Sequence, residues 1–476
     1  MIKLLFFICI VILVIIVLYD KKSEYLCPIV DDVSMLNTTI VDKVFYPKCN
    51  KDIFKIIKLA HFNNKKIIAR GERHSMGGHT ITKDGYIIDT KFLNQIDLDG
   101  KNKVVKVGPG VTWDKLIYYL NRYGYSPKTL QSYASFSVGG SVSVNIHGIT
   151  NDDCLCESVK ELELITSSTE IVVCSRSMNS ELFSLVIGGY GLFGIIVNVT
   201  LEIVPNVCVT PKSKQLTINN FCQYYHKISN SKTNIKFARI DITNMKDITL
   251  YYFTKNNNTI HNLELDKSPN KMSIISQLLY KWLLPIKYVQ KIRFNLENRL
   301  GKPLDMKKSQ KLSRNMVLYE SAKPLSILYS PIINLKKTHI LQEFFIPEKY
   351  FIVWMKYLEK IFSEHNEPVL LNITIRYIKE DKTTFLKYAT QNMFAFVFYY
   401  RINCTTKEDH LLKKIHNLLT NKSLELTGTF YLPYRHHYTK TQLKKSYPNI
   451  TDFFVMKKKY DPYELFTNLW YENYKK

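Results

Sequence analysis

The sequence predicts an α+β fold, and three observations predict it. Glycine is crowded into one part of the chain: 15 of the 17 glycines fall between Gly71 and Gly194. Within that stretch, short β-prone runs bounded by glycine and charge alternate with helical segments. Beyond about residue 206 glycine nearly vanishes, while lysine, tyrosine, phenylalanine and asparagine rise and longer β-prone runs return. A turn-dense first unit and a second unit of antiparallel sheet with helices follow from this change of character.

The elements can be placed in order. Residues 66–69 and 86–89 are short strands, and 104–107 is another, closed by Gly108-Pro109-Gly110. Thr112 or Asp114 can cap a helix over 113–123. Residues 159–166 and 170–174 read as a hairpin pair. The β-branched run 195–204 (IIVNVTLEIV) is a strand that Pro205 ends. Residues 272–300 read as a long helix with Ile274, Leu278, Trp282 and Ile286 roughly on one face, kinked at Pro285 and packed within the second unit. Further strands are expected at 340–346, 370–377 and 394–400.

A chain of 476 residues is long enough for two or three domains. With 46% hydrophobic and 22% charged residues, it is not a disordered polypeptide. The net charge of +25 is spread along the chain and accompanies no nucleic-acid-binding motif, so it reads as a solvated lysine-rich surface and no nucleic-acid partner is expected. The nine cysteines are scattered. Only Cys154 and Cys156 lie close together, and a lone C-x-C pair predicts no metal site. Residues 4–18 are uninterruptedly apolar, a little short of the ~20 that span a bilayer, with Lys3, Lys21 and Lys22 at the flanks. Residues 1–22 are therefore read as a single-pass N-terminal membrane anchor, inserted through residues 4–19. A cleaved signal peptide and a secreted protein are the alternative.

Three glycine loops carry the chemistry. Gly189-Tyr190-Gly191-Leu192-Phe193-Gly194 matches a dinucleotide-binding fingerprint, but it opens the strand at Ile195 where such a loop must open a helix, so the match is a decoy. Arg70-Gly71-Glu72-Arg73-His74-Ser75-Met76-Gly77-Gly78 follows a strand and offers backbone amides and two arginines to a phosphate. Ser137-Val138-Gly139-Gly140-Ser141, leading to Asn145-Ile146-His147-Gly148, is small enough to let backbone approach a flat ligand.

In combination and in order, these loops resemble the FAD-binding (PCMH-type) domain of the vanillyl-alcohol oxidase superfamily. The resembling patterns are R-G-x-x-H-S-x-x-G, S-V-G-G-x-x-x-x-N-x-H-G and G-G-x-G-x-x-G-I-I. The C-terminal residues Tyr431-Leu432-Pro433-Tyr434, Tyr447-Pro448, Lys457 to Pro462 and Leu465-Phe466-Thr467-Asn468 are similar to the closing segment of sugar-lactone and alditol oxidases and of the decaprenylphosphoryl-ribose oxidase. The resemblance implies an FAD domain of two small sub-sheets with flanking helices over 37–208, a substrate or cap domain over 209–425, and a segment over 426–476 that returns to the flavin. It implies that Arg70, Gly71, Glu72, Arg73, His74 and Ser75 wrap the diphosphate. Ser137, Gly139, Gly140, Ser141, Asn145, His147 and Gly148 would line the flavin and its ribityl chain, and Ile195 and Ile196 would meet it through backbone. His74 stands where many members bond covalently to the flavin 8α-methyl, so FAD tethered through His74 is expected. Neither Ser137 nor Val138 offers a second, cysteinyl tether.

The same resemblance leaves the substrate less defined. Cytokinin dehydrogenases carry an Asp where this chain has Ser132. Lactone and alditol oxidases carry Glu-x-Arg where it has Thr374-Ile375-Arg376, and the decaprenylphosphoryl-ribose oxidase carries Lys where it has Tyr434. Arg376, Tyr434 and His436 are the catalytic candidates, with His437 beside them and Glu343 as a further inward acid. The expected reaction is oxidation of a CH–OH group on a small sugar-, polyol- or lactone-like substrate, lipid-linked ones included. Hydride passes to FAD, and electrons leave to oxygen or another acceptor. A reductase of the sterol Δ24 type and a non-enzymatic membrane protein that keeps the fold are the rival readings.

Overall fold

The computed structural model describes residues 27–229, 233–256, 265, 283, 285–301, 312–320, 337–365 and 369–475. Strands β1 (Ile29–Val30) and β2 (Thr39–Ile40) form an antiparallel ribbon at the start. Strands β3 (Lys43–Phe45), β4 (Ile67–Arg70) and β5 (Tyr86–Asp89) form a parallel sheet in the order β3-β5-β4. The helix Asn50–Phe62 connects β3 to β4. It buries Ile53, Ile56, Ile57 and Ala60, spaced for one helical face.

A second sheet is built from β6 (Ile96–Asp99), β7 (Val104–Val107), β8 (Tyr125–Pro127), β9 (Val159–Ile165), β10 (Ile171–Ser175) and β11 (Ile195–Pro205). Its order is β10-β9-β11-β7-β6, with β8 on the far end of β11. The β9–β10 hairpin and the strand after Gly194 follow the sequence reading. Gly194 takes φ +148, and a Cβ there would lie 2.8 Å from the Ile165 carbonyl oxygen, so the loop serves entry into β11. The helix Trp113–Asn121 starts after Thr112, whose hydroxyl bonds Asp114 rather than a backbone amide.

The second unit is an eight-stranded sheet. It comprises β12 (Cys208–Thr217), β13 (Thr233–Ile240), β14 (Asp247–Lys255), β15 (Leu312–Ser313), β16 (Lys337–Pro347), β17 (Val369–Ile378), β18 (Met393–Asn403) and β19 (Thr429–Phe430), in the order β15-β12-β14-β13-β17-β18-β16-β19. Side chains alternate between its faces. Phe344, Phe396, Phe398 and Tyr400 meet Trp354 and Phe362 of the helix Phe351–Glu364 and His416 of the helix Thr406–Glu425. The odd-numbered side chains of β16, Leu341, Glu343 and Phe345, face the first unit instead. The register aligns Thr374, Val397 and Glu343 in one cross-strand row and Arg376, Ala395 and Phe345 in the next.

The chain end closes against the first sheet. Ile67 donates its amide to the Leu465 carbonyl at 2.8 Å and accepts from Thr467 at 3.0 Å, so Phe466 lies beside β4. This turn is held by Asp461, which accepts from the amides of Leu465 and Phe466 and pairs with Lys457, both fully buried. A buried carboxylate supplied with this many donors is satisfied rather than stranded.

The α+β class stands. The membrane assignment is corrected. Among the described residues no helix is long and apolar enough to cross a membrane, and the anchor expected within residues 1–22 lies outside them. Its apolar run also falls short of a bilayer's ~20 residues, so the single-pass membrane reading is withdrawn. Of the helix expected over 272–300, the structure shows Lys287–Leu300, which begins after a non-helical Pro285-Ile286; apart from these and Leu283, the rest lies outside the described residues.

Candidate cofactor and substrate site

Two adjoining cavities lie along the glycine loops, one closed by the second unit and the other lined by the first unit. The larger, of about 720 Å³, is lined by Gly71, Glu72, Arg73, His74 and Ser75 of the first loop, and by Ser137, Gly140 and Ser141 of the second. Leu341, Tyr431, Pro433 and Tyr434 close it from the second unit. The smaller, of about 550 Å³, takes Arg70, Gly71, Ser75, His79, Thr80, Gly139, Gly140, Tyr190 and Ile196. Gly71, Ser75, Thr80, Gly140 and Val144 belong to both walls, so the two form one elongated groove.

Local structure explains the glycines. Gly71 packs so tightly on Ser137 that a Cβ would come 1.9 Å from its hydroxyl oxygen. Ser137 caps the short helix Val138–Ser143, accepting from the Gly140 amide at 3.4 Å. Ser141 accepts from the Trp113 indole at 2.8 Å, which pins the loop to the core. Gly139 instead faces Pro109, with a Cβ position 2.5 Å from the proline Cβ.

Charge in the groove is balanced. Arg70, expected to meet phosphate, gives its Nε to Asp89 at 2.9 Å, both groups being buried. Arg73 takes a left-handed backbone, φ +58, and is exposed. Glu72 has its pKa raised, chiefly by burial. His74 stacks on Phe136, with ring centroids 4.2 Å apart. Burial, with Arg73 adding repulsion, lowers its pKa to about 4, so its imidazole is neutral at physiological pH.

Four of the expected cofactor residues stand behind the groove wall. Asn145, at φ +45, donates to Asp381 at 3.0 Å and accepts from the Cys156 amide at 3.0 Å. Gly148 faces the Leu130 carbonyl, and Ile195 belongs to the core under β4. His147 lies 2.6 Å from Glu343, both about 2% exposed. Glu343 Oε1 makes no aligned hydrogen bond, and His147 Nδ1, on the other side of the ring, has no hydrogen-bond partner among the described residues.

The catalytic candidates fall in three places. Tyr434 lines the larger cavity. Arg376 projects from β17 on the face shared with Phe345 and donates to Ser132 Oγ at 3.0 Å, beside the wall residues Gln131 and Tyr133. His436 lines neither cavity. It meets Asn473 at 3.1 Å, and burial lowers its pKa to about 3. His437 contacts His416 at 2.7 Å and Asp409 at 2.9 Å, and Asp409 also receives Arg435. Cys154, Cys156 and Asp381 gather within 4.8 Å of one another. The Asp381 oxygens are already taken by Asn145 and by the amides of Thr383 and Thr384, a hydrogen-bonded knot.

The groove fits a long polar cofactor. Buried on its wall, Nδ1 and Nε2 of His79, Oγ1 of Thr80 and Nε2 of Gln131 meet no partner among the described residues. Such atoms are costly to bury unless a ligand or water meets them. Sequence reading missed His79 and Thr80 because they follow the glycine loop without belonging to its pattern.

Comparison with known proteins agrees with the groove. A family model described as an FAD binding domain matches residues 41–175. The chain is 33% identical over 171 residues to cytokinin dehydrogenase 1 of Arabidopsis thaliana, covering 34% of this chain and 30% of that protein. It is 30% identical over 154 residues to decaprenylphosphoryl-beta-D-ribose oxidase of Mycolicibacterium smegmatis, covering 32% of this chain and 34% of that protein. The matched stretch thus spans about a third of these curated relatives.

Proposed function

The chain carries an FAD-binding domain of the vanillyl-alcohol oxidase superfamily, and on that premise we propose that the protein is an FAD-dependent oxidoreductase oxidising a CH–OH group of a small polar substrate. The observation that carries this reading is the elongated groove, walled at one end by His74, Phe136 and Tyr434 and at the other by Arg70, His79 and Tyr190, with Thr80 and Gly140 shared between the two. FAD, when bound, supplies the acceptor for a hydride from the substrate carbon. His74, neutral and stacked on Phe136, has the protonation state that a covalent tether to the 8α-methyl requires. Tyr434, Leu341 and Tyr431 exclude water from the reacting face. Ser132 and Arg376 orient the substrate hydroxyl.

The preference for an alcohol over an amine rests on that last pair. An amine-oxidising relative such as a cytokinin dehydrogenase uses a carboxylate where this chain has Ser132. Here the hydroxyl accepts from a guanidinium, an arrangement suited to a neutral hydroxyl or carbonyl oxygen. Anaerobic mixing of the yellow holoprotein with a panel of sugars, polyols and lactones, and with an isoprenoid-substituted adenine, tests this. Bleaching by a member of the first group supports the reading. Bleaching by the adenine alone would overturn the CH–OH assignment and leave an amine oxidase.

A further inference from the structure

His79 is an unusual histidine. It is 3% exposed, both ring nitrogens lack a partner among the described residues, and it lines the smaller cavity together with Arg70 and Ser75. Its ring is wedged against three others: Trp470 stacked at 5.7 Å, Tyr190 at 5.3 Å and His436 at 5.8 Å. Packing fixes the ring, but no group among the described residues meets its nitrogens.

The charges around it are already committed. Tyr190 is a phenol that burial keeps neutral, and burial likewise keeps His436 neutral. Asp32, on the segment packed against Gly78, spends its carboxylate on Ser34, Asn37 and the Gly78 amide. Arg70 is the one cation among the described residues lining the smaller cavity, and Asp89 neutralises it. An FAD diphosphate entering here would bring negative charge into a cavity whose described lining offers no uncommitted cation. Moving an anion out of water without a counter-charge is expensive. Histidine is the side chain that can supply that charge near neutral pH, by taking a proton from solvent.

We infer that His79 is a cofactor-binding residue that takes up one proton as the diphosphate of FAD enters the smaller cavity, so that affinity for FAD falls as pH rises. The inference rests on the FAD reading above. The proton comes from bulk water and goes to a ring nitrogen; no covalent bond to the cofactor forms. Without the anion, burial and the neighbouring His436 keep the imidazole neutral, its pKa well below the usual histidine value. With the anion beside it, the charged form is favoured.

The test is calorimetric. Full-length protein carrying His74→Ala, which prevents a covalent tether, is freed of FAD and titrated with FAD in two buffers of different ionisation enthalpy. The expected result is uptake approaching one proton per FAD near neutral pH, and a Kd that weakens by up to about tenfold per pH unit. His79→Gln abolishes the uptake, and His436→Gln leaves it in place. Equal heats in the two buffers with tight FAD binding would overturn the inference while sparing the FAD reading, as would uptake that survives His79→Gln. Failure to bind FAD at all would overturn both. The buffer comparison uses protein with His79 intact, so it decides even if His79→Gln does not fold.

Discussion

His147 Nε2 lies 2.6 Å from Glu343 Oε1, joining the second glycine loop to strand β16 of the eight-stranded sheet, with both side chains sealed from solvent. Phe345, Tyr388 and Tyr431 surround the imidazole at 5.5–6.0 Å. Tyr431, in turn, donates its hydroxyl to the Val144 carbonyl and lines the larger cavity. The pair is therefore a clamp behind the groove. Glu343 shares a cross-strand row with Thr374, two strands away on the same face.

Removing one partner of a buried pair leaves the other stranded. Glu343→Ala should destabilise the holoprotein by about 3 kcal/mol or more, read as a lower midpoint in denaturant unfolding. Glu343→Gln, which keeps the shape and can still hydrogen-bond, should lose less. Equal, negligible losses in both would mean that the clamp carries no stability.

Arg376 tests the substrate end. Arg376→Leu removes the donor held by Ser132. If the pair orients the substrate hydroxyl, kcat/KM should fall on the order of tenfold to a hundredfold, while FAD absorbance stays unchanged. A simultaneous loss of bound FAD would place Arg376 in the scaffold and not at the substrate.

Acid should unfold the protein through a definite set of groups. Burial lowers the pKa of His416, His436 and His437 in the folded state. Each is neutral when folded but protonated in the unfolded chain below about pH 6.5. The unfolded state thus binds more protons, and stability is full above that pH and falls as pH drops. Asp409 adds to this at lower pH: burial opposes its ionisation, but hydrogen bonds from His437 and Arg435 outweigh burial and hold its pKa down. Its contribution is present above about pH 4 and is lost as pH falls through the folded pKa. Unfolding free energies from denaturant titrations across pH should decline below about 6.5 with a slope of about 1.4 kcal/mol per pH unit for each proton taken up. His416→Phe should reduce the slope by about one proton; an unchanged slope would exclude His416 from the set.

The groove's first wall was legible because its residues are contiguous. A glycine loop after a strand, with His74 and Ser75 at fixed offsets, declares itself in one reading. The second loop was half legible. Ser137, Gly139, Gly140 and Ser141 face the groove or its walls, whereas Asn145, His147 and Gly148 continue the same small polar texture and turn behind it. Nothing in residue type distinguishes a loop asparagine that meets a ligand from one that meets Asp381, 236 positions away. The His147–Glu343 pair was hidden for the same reason, since it depends on the register of β16 against β18 and on two units docking. The cavity-facing role of His79 was also out of reach: its signal is two empty nitrogens, a property of packing.

FAD binding and its tether are tested most directly by the absorbance of the purified protein before and after acid precipitation, in the native sequence and in His74→Ala. A histidyl-linked FAD predicts a yellow protein whose colour stays with the acid pellet, and a His74→Ala variant that releases its colour to the supernatant. A protein that is colourless as purified, and remains so after refolding with excess FAD, would contradict it.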